Sequence, residues 1–375
     1  MKILQTTKYY LPSTGGVESV VKSIVEGVSQ KSETCKFTVY SNNHIPTMRR
    51  SVLQSAVVHN IKEMTPFIYK SQPLSIRYQL LRSLMMDSDI IHHHYPFPNM
   101  ELALLRNMDV LKTKRLVITW HANIKTTRWS WISKYYDPII KRLLEKAERI
   151  IVTSPQLLEA SDLLKAYEHK VQVIPLTFSP KICSVSAPVK RLVSERPFRV
   201  LFVGKLRAYK GLEYLIKAVA NLDVELTIVG EGETEQELAN LVTALELTSK
   251  VTFKKGVSDD ELAGIYQASD LFVLPSISEA EAFGVVQLEA MANGLPVINT
   301  RLDSGVPHVS IDGLTGLTVG PRDAEQLAAA IVRIKDNPEL YAEFSTNALT
   351  RVKLFTTEKM TAAYLEIYEK SKKIN

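Results

Sequence analysis

The stretch Leu271–Thr300, LFVLPSISEAEAFGVVQLEAMANGLPVINT, constrains this chain more than any other. The apolar run Leu271 to Leu274 has the length and composition of a buried strand, and Pro275 stops it. A polar loop follows, then apolar positions at helical spacing from about Phe283 to Asn293, closed by Gly294 and Pro296. Val297 and Ile298 begin the next strand. Strand, loop, helix and strand in this order form the unit of a parallel sheet covered by helices. The loop before the helix then lies at the carboxyl edge of the strands, where such sheets bind ligands. Glu281 stands at the start of the helix and Glu289 just over two turns later. Gly284 allows a ligand to approach the backbone. The first-turn N–H groups of Phe283, Gly284, Val285 and Val286 are unpaired donors for an anion or a hydroxyl-rich ring. A single first-turn Glu would be read as favouring the helix dipole. Two carboxylates flanking a Gly-containing helix start point to a ligand.

The same alternation runs through the chain. Strand patterns recur at residues 2–7, 36–40, 56–59, 89–93, 115–120, 149–152 and 171–174, with helix patterns between most of them. Residues 180–198 carry Pro180, Pro188 and Pro197 and show no period, which marks an interdomain linker. A second series opens with the buried-strand run Arg199 to Val203 and continues through Leu226–Val229, Val251–Phe253 and the central unit. The tail is helical by period at 324–336, 338–349 and 358–372.

Three loops at strand ends carry candidate ligand groups. Gly15 and Gly16 open the first helix; a phosphate-type cradle and a bare tight turn both fit, and the G-x-G-x-x-G spacing is absent. After the strand ending at Val203, Lys205 and Lys210 lie between Gly204 and Gly211, where they form a plausible diphosphate clamp. Ser258 is an N-cap with acids, Asp259 among them, in the first turn behind it. His121 follows the strand that ends at Trp120, and a His packed under a loop is the plainer reading. His92-His93-His94 raises a metal, but no further ligands with suitable spacing accompany it.

Glu281-Ala-Phe-Gly-Val-Val-Gln-Leu-Glu289, with Gly294-Leu295-Pro296-Val297 behind it, resembles the E-x7-E signature of the retaining glycosyltransferases of family 4. That resemblance implies an α/β GT-B architecture: two Rossmann-like parallel-sheet domains facing each other across a cleft. The first would span residues 1–180, residues 181–198 would link, and residues 199–355 would bind the nucleotide sugar. Residues 356–375 would cross back to the first domain, with Ala362, Ala363, Leu365, Ile367 and Tyr368 supplying apolar contacts. It further implies that Glu281 bonds the sugar hydroxyls, Glu289 the ribose hydroxyls, and His121 lines the sugar pocket. Gly15, Gly16, Lys205 and Lys210 would meet the diphosphate, and Val257 and Asp259 would lie by the base. The family uses no catalytic metal and no cofactor beyond its donor. The chain departs from the family pattern at Lys205, where Arg is usual, and at Ala122-Asn123, where many relatives have Ser-Asp.

Charge and composition narrow the partners. Hydrophobic residues at 45% and charged residues at 23% suit a folded globular chain. No apolar run approaches bilayer length, and Met1 to Leu4 read as a first strand, so a cytoplasmic chain or one peripheral on the inner membrane face is expected. Cys35 and Cys183 show no metal spacing. Residues 1–180 hold 24 Lys and Arg against 14 Asp and Glu, whereas residues 181–375 hold 22 against 26. A basic first half suits an anionic membrane or a phosphorylated acceptor. Nothing signals nucleic acid. The basic and aromatic stretch Arg128–Tyr136 has the amphipathic character of a lipid-interface segment, and equally of an ordinary core helix.

The Thr119-Trp120-His121 segment and Ser304-Gly305-Val306-Pro307 are most similar to the mannosyl- and rhamnosyltransferases of bacterial surface polysaccharide (O-antigen) assembly. GDP-mannose as donor and a lipid-diphosphate-linked saccharide as acceptor are therefore expected. Another GDP-, UDP- or dTDP-sugar, a nucleotide-sugar epimerase of this fold, and a non-catalytic nucleotide-binding subunit are the alternatives.

Overall fold

The computed structural model describes the chain except residues 14, 56, 70–71, 76–77, 124–132, 179–181, 183–195 and 371–375. Most of the expected linker, and Arg128 to Ile132 of the basic-aromatic stretch, lie outside the described residues. The chain divides into two compact units, Met1–Leu176 with Thr357–Asn375, and Thr177–Thr356.

The first unit contains β1 (Lys2–Thr6), β2 (Lys36–Asn42), β3 (Ser51–Gln54), β4 (Val58–Glu63), β5 (Phe67–Tyr69), β6 (Gln72–Leu74), β7 (Ile90–Tyr95), β8 (Arg115–Trp120), β9 (Arg149–Val152) and β10 (Val171–Val173). Eight of these form one sheet in the order β10-β9-β8-β7-β1-β2-β4-β3. Every pairing is parallel except β3 with β4. β5 and β6 form a separate antiparallel hairpin. The inner strands are covered on both faces: Ile3, Leu4, Ile90, Ile91, Val117 and Ile150 are all buried, and so are Gln5, Thr6 and His92 to His94. Each such side chain contributes roughly 1.5–3 kcal/mol when it leaves water.

One expectation needs correction here. The strand read at 56–59 is β4, which continues to Glu63. Its last residues, Lys62 and Glu63, are buried despite their charge, and Glu63 is paired with Arg50 at 3.0 Å. The Tyr136 side chain is likewise buried and stacks on Tyr95 with ring centroids 6.3 Å apart. At this residue the core-helix reading holds.

The C-terminal helix Thr357–Glu369 packs against the helix Gly16–Lys31. Its buried face is Met360, Thr361, Tyr364, Ile367 and Tyr368. Ala362 is exposed, so of the five apolar contacts expected only Ile367 and Tyr368 are buried, because the stripe follows positions four, seven and eight from Met360. Arg115 donates to the carbonyls of Ile367 and Tyr368 at 2.8 and 2.7 Å, capping the last turn.

The second unit contains β11 (Phe198–Val203), β12 (Val224–Val229), β13 (Val251–Lys254), β14 (Leu271–Leu274), β15 (Val297–Thr300) and β16 (Gly316–Val319). They form one parallel sheet in the order β13-β12-β11-β14-β15-β16. The direction of winding reverses between β11 and β14. The connections from these two neighbours lead to opposite sides of the sheet, which makes the carboxyl edge between them the switch point where such sheets bind ligands.

Candidate active site

The loops following β11 and β14 bring Lys210 and Glu281 together at this switch point. The Lys210 Nζ lies 2.5 Å from a Glu281 carboxylate oxygen, and both residues are buried, at 7% and 8% exposure. The Ser276 hydroxyl donates to the same oxygen at 3.1 Å. Burial alone would push the Lys210 ammonium down, but the Glu281 carboxylate and Tyr209 outweigh it and raise the pKa above the ordinary lysine value. Lys210 also sits over the Tyr209 ring, 5.5 Å from its centroid.

The two loops are fastened to each other. Ile277 N–H donates to the Tyr209 carbonyl at 2.8 Å. Gly211 is in the left-handed region at φ 64°, and a Cβ there would stand 2.3 Å from the Pro275 carbonyl oxygen. Only glycine allows both the turn and the approach.

The helix behind Glu281 begins later than its pattern implies. It spans Val286–Ala292, and Gly284 is left-handed at φ 72°. A Cβ on Gly284 would meet Leu274 at 2.7 Å and the Gln287 amide at 2.8 Å. The glycine is thus required by the turn and its interior neighbours. The Phe283 ring is buried and packs edge-on against Phe355, 6.3 Å between centroids. Its side chain is core, leaving backbone groups as what Phe283, Gly284 and Val285 can offer a ligand.

Glu289 lies inside this helix and accepts from the Tyr266 hydroxyl at 2.9 Å. Burial raises its pKa to about 7, the Tyr266 hydrogen bond opposes the rise, and Asp259 adds to it. Asp259 is exposed in the first turn of the helix Asp259–Ala268. That turn is closed by a capping box: Glu261 N–H donates to the Ser258 hydroxyl, and Ser258 N–H to the Glu261 carboxylate at 3.0 Å. Val257 precedes it, partly buried. Lys205 is exposed and makes no ion pair with a described residue. Lysines 205 and 210 therefore do not act as two equal free cations: one is paired and one stands in solvent.

On the first unit, Gly15 is the N-cap of the helix Gly16–Lys31 with an extended backbone, and Glu18 curls back beside it. His121 follows β8, 7% exposed, with its ring stacked on His94 at 5.2 Å. Asn123 accepts from the Trp120 indole at 2.8 Å and donates to the Leu157 carbonyl at 3.3 Å, so it braces the loop that carries His121. All six ring nitrogens of His92, His93 and His94 are hydrogen-bonded to protein groups. Among the described residues no three His, Cys, Asp or Glu side chains are grouped to hold a metal ion.

Sequence reasoning missed Ser276 and Tyr266. Ser276 was signalled only by following the strand-ending Pro275. Tyr266 carries no local signal, because it meets Glu289 from another helix 23 positions away.

Known proteins agree with this frame. Residues 187–351 match the model for glycosyl transferases group 1, and residues 14–180 that for Glycosyltransferase Family 4. A D-rhamnosyltransferase of Pseudomonas aeruginosa is 32% identical over 95% of this chain and 92% of its own. The O-antigen chain mannosyltransferase C of Escherichia coli is 28% identical over 98% of both chains. Among solved structures, a sucrose-phosphate synthase from Thermosynechococcus elongatus superposes with a TM-score of 0.76 at 22% identity, covering 100% of both chains. The Anabaena protein HepE in complex with UDP gives 0.76 at 18% identity, over 99% of this chain and 100% of that one.

Proposed function

The chain belongs to the retaining glycosyltransferases of family 4, with the GT-B fold, and on that premise we propose that it moves a hexose, mannose from GDP-mannose, onto a lipid-linked saccharide of bacterial O-antigen or surface polysaccharide. The observation that carries the site is the buried Lys210–Glu281 pair at the switch point. Mannose and an O-antigen acceptor are supported by one relative that spans nearly the whole chain, the O-antigen chain mannosyltransferase of Escherichia coli, whereas the Pseudomonas aeruginosa relative keeps rhamnose as the alternative sugar.

Breaking the bond between sugar and diphosphate leaves negative charge on the diphosphate and oxocarbenium character on the sugar. In this reading Lys210, Lys205 and the amides at Gly15, Gly16 and Phe283 to Val286 receive the diphosphate. Each fixed donor or cation of this kind is worth about 2.7–4 kcal/mol in rate. Glu281 orients the sugar hydroxyls, Glu289 accepts from the ribose hydroxyls, and His121 faces the sugar. Val257 and Asp259 lie by the base. The acceptor hydroxyl attacks on the face the diphosphate leaves, and the departing phosphate oxygen takes its proton, so configuration is retained.

A lipid-linked acceptor is favoured by the first unit's surface. The loop after β2 and the β5–β6 hairpin both leave the carboxyl edge of the sheet, and Thr47 and Thr65 join them through two 2.8 Å backbone hydrogen bonds. There Met48 and Phe67 are 71% and 68% exposed, and Ile45 and Tyr69 also face solvent. Between Thr34 and Met86 the sequence has seven Lys or Arg and one acid, Glu63, which is buried and paired. An apolar rim with the exposed Arg49 beside Met48, on the half of the chain richer in Lys and Arg, suits an anionic lipid face. No helix among the described residues is long and apolar enough to cross a membrane.

The test is a screen of nucleotide sugars with bacterial lipid extract, read by mass spectrometry. The expected product is a lipid-linked saccharide heavier by one hexose with GDP-mannose. Release of an epimerised sugar without any acceptor would overturn the reading.

A further inference from the structure

Beneath His121 runs a set of buried hydrogen bonds that no part of the reaction above uses. The His121 Nε2 lies 3.0 Å from His94 Nδ1, and His94 Nε2 lies 2.8 Å from the Gln5 amide oxygen. The Gln5 amide nitrogen donates to the Tyr368 hydroxyl at 3.1 Å. Tyr368 lies 2.7 Å from His92 Nδ1, and His92 Nε2 lies 2.7 Å from the Thr119 hydroxyl. Thr119 in turn meets the Tyr364 hydroxyl at 3.2 Å. Two of these residues, Tyr364 and Tyr368, come from the C-terminal helix.

The chemistry gives the chain a direction. An amide oxygen only accepts, so His94 must carry its proton on Nε2 to donate to Gln5. A neutral His94 then offers a lone pair at Nδ1, and His121 must donate to it from Nε2. That leaves His121 Nδ1 without a proton, and no described residue bonds to it. At the other end Tyr368 has one proton; it accepts from Gln5 and donates to His92 Nδ1, which passes the sense on to Thr119.

We propose that this relay from the C-terminal helix holds His121 in the Nε2–H tautomer, presenting a bare Nδ1 as the acceptor for one hydroxyl of the donor sugar. Gln5, His94 and Tyr368 are positioning residues in this scheme. The inference rests on the reading that His121 faces the donor sugar. All three imidazoles stay neutral, as the scheme needs: burial holds His92 and His94 well below the ordinary histidine value, and His121 is lowered to about 3 by burial and by His93. The device resembles the way a second hydrogen bond sets which ring nitrogen of a metal-bound histidine is free.

Nitrogen-15 spectra of the full-length protein labelled at histidine test the tautomer directly. Wild type is expected to show His121 protonated at Nε2 alone. His94→Leu and Tyr368→Phe, which cut the relay at its two ends, should give a mixture of tautomers. His94→Gln keeps one acceptor and one donor side by side and should restore the single form. Transfer should follow: kcat falls about tenfold to hundredfold in His94→Leu, nucleoside-diphosphate affinity stays unchanged, and His94→Gln recovers most of the loss. A proton on His121 Nδ1 in wild type, or a single Nε2–H form surviving in both His94→Leu and Tyr368→Phe, would overturn the relay. The expected tautomers with unchanged transfer in His121→Ala would instead overturn the acceptor role and the placement of the sugar against His121.

Discussion

Lys210 and Glu281 neutralise each other across 2.5 Å inside the second unit, with Ser276 supporting the carboxylate. The lysine is therefore held ready, not free: an incoming diphosphate must share or displace the carboxylate to use the ammonium. The carboxylate is in turn released toward a hydroxyl donor as the phosphate arrives. In the proposed reading one contact thus couples diphosphate and sugar recognition.

Each half of this pair should be expensive to remove alone. Removing one partner from a buried pair leaves an uncompensated charge and typically costs about 3–5 kcal/mol. Lys210→Ala and Glu281→Ala are each expected to show that loss in denaturant unfolding of the second unit. Lys210→Met with Glu281→Leu should cost clearly less than the two together. Additive losses would mean that the two side chains do not interact energetically.

As the proposed acceptor for the ribose hydroxyls, Glu289 should make nucleotide binding depend on pH. Its folded pKa of about 7 lies above the ordinary carboxyl value of 4.5, so between those values the folded state holds more protons than the unfolded one. Stability from this group is complete below about 4.5 and is lost as pH rises through 7, on the order of 3 kcal/mol in all. In that role the ionised carboxylate accepts more strongly than the acid, so affinity should rise with pH through the same window. Glu289→Gln should flatten both profiles; calorimetry and titrations from pH 5 to 8.5 check this.

Gly211→Ala tests the loop clasp. The substitution strains a left-handed residue and drives a Cβ into the Pro275 carbonyl, so the β11 and β14 loops must separate. A loss of about 1–3 kcal/mol with a marked fall in kcat is expected. Gly264, exposed and with nothing within 4 Å of an added Cβ, is the control and should tolerate alanine with little loss of transfer.

Vesicle binding tests the apolar rim. Met48→Ser with Phe67→Ser should weaken sedimentation with vesicles containing phosphatidylglycerol at least several-fold. It should also raise KM for a lipid-linked acceptor and leave a water-soluble acceptor analogue unaffected. Equal sedimentation of wild type and variant would remove the rim from the acceptor reading.

The parallel strands were legible because burial on both faces leaves uninterrupted apolar runs; 115–120 and 149–152 were read to the residue. β3 was not, because Ser51–Gln54 is a four-residue exposed antiparallel edge whose adjacent Val52 and Leu53 show no alternation, and the three-residue strands β5 and β6 are too short to show a period. The late start of the Val286 helix was hidden by Phe283, whose apolar ring fits the helical pattern but belongs to a contact with Phe355. Glu281, Lys210 and Glu289 were visible as types at strand ends. Their partners Ser276 and Tyr266, and the tie from His92 to Tyr368 across 276 positions, depend on tertiary contacts that leave no local periodicity.

Calorimetric titration of nucleoside diphosphate into Glu281→Gln, beside a transfer assay, tests the shared contact most directly. With the carboxylate gone, Lys210 is free for phosphate, so binding should equal or exceed that of wild type while transfer is lost. Loss of binding together with transfer in a folded variant, or retention of transfer, would contradict it.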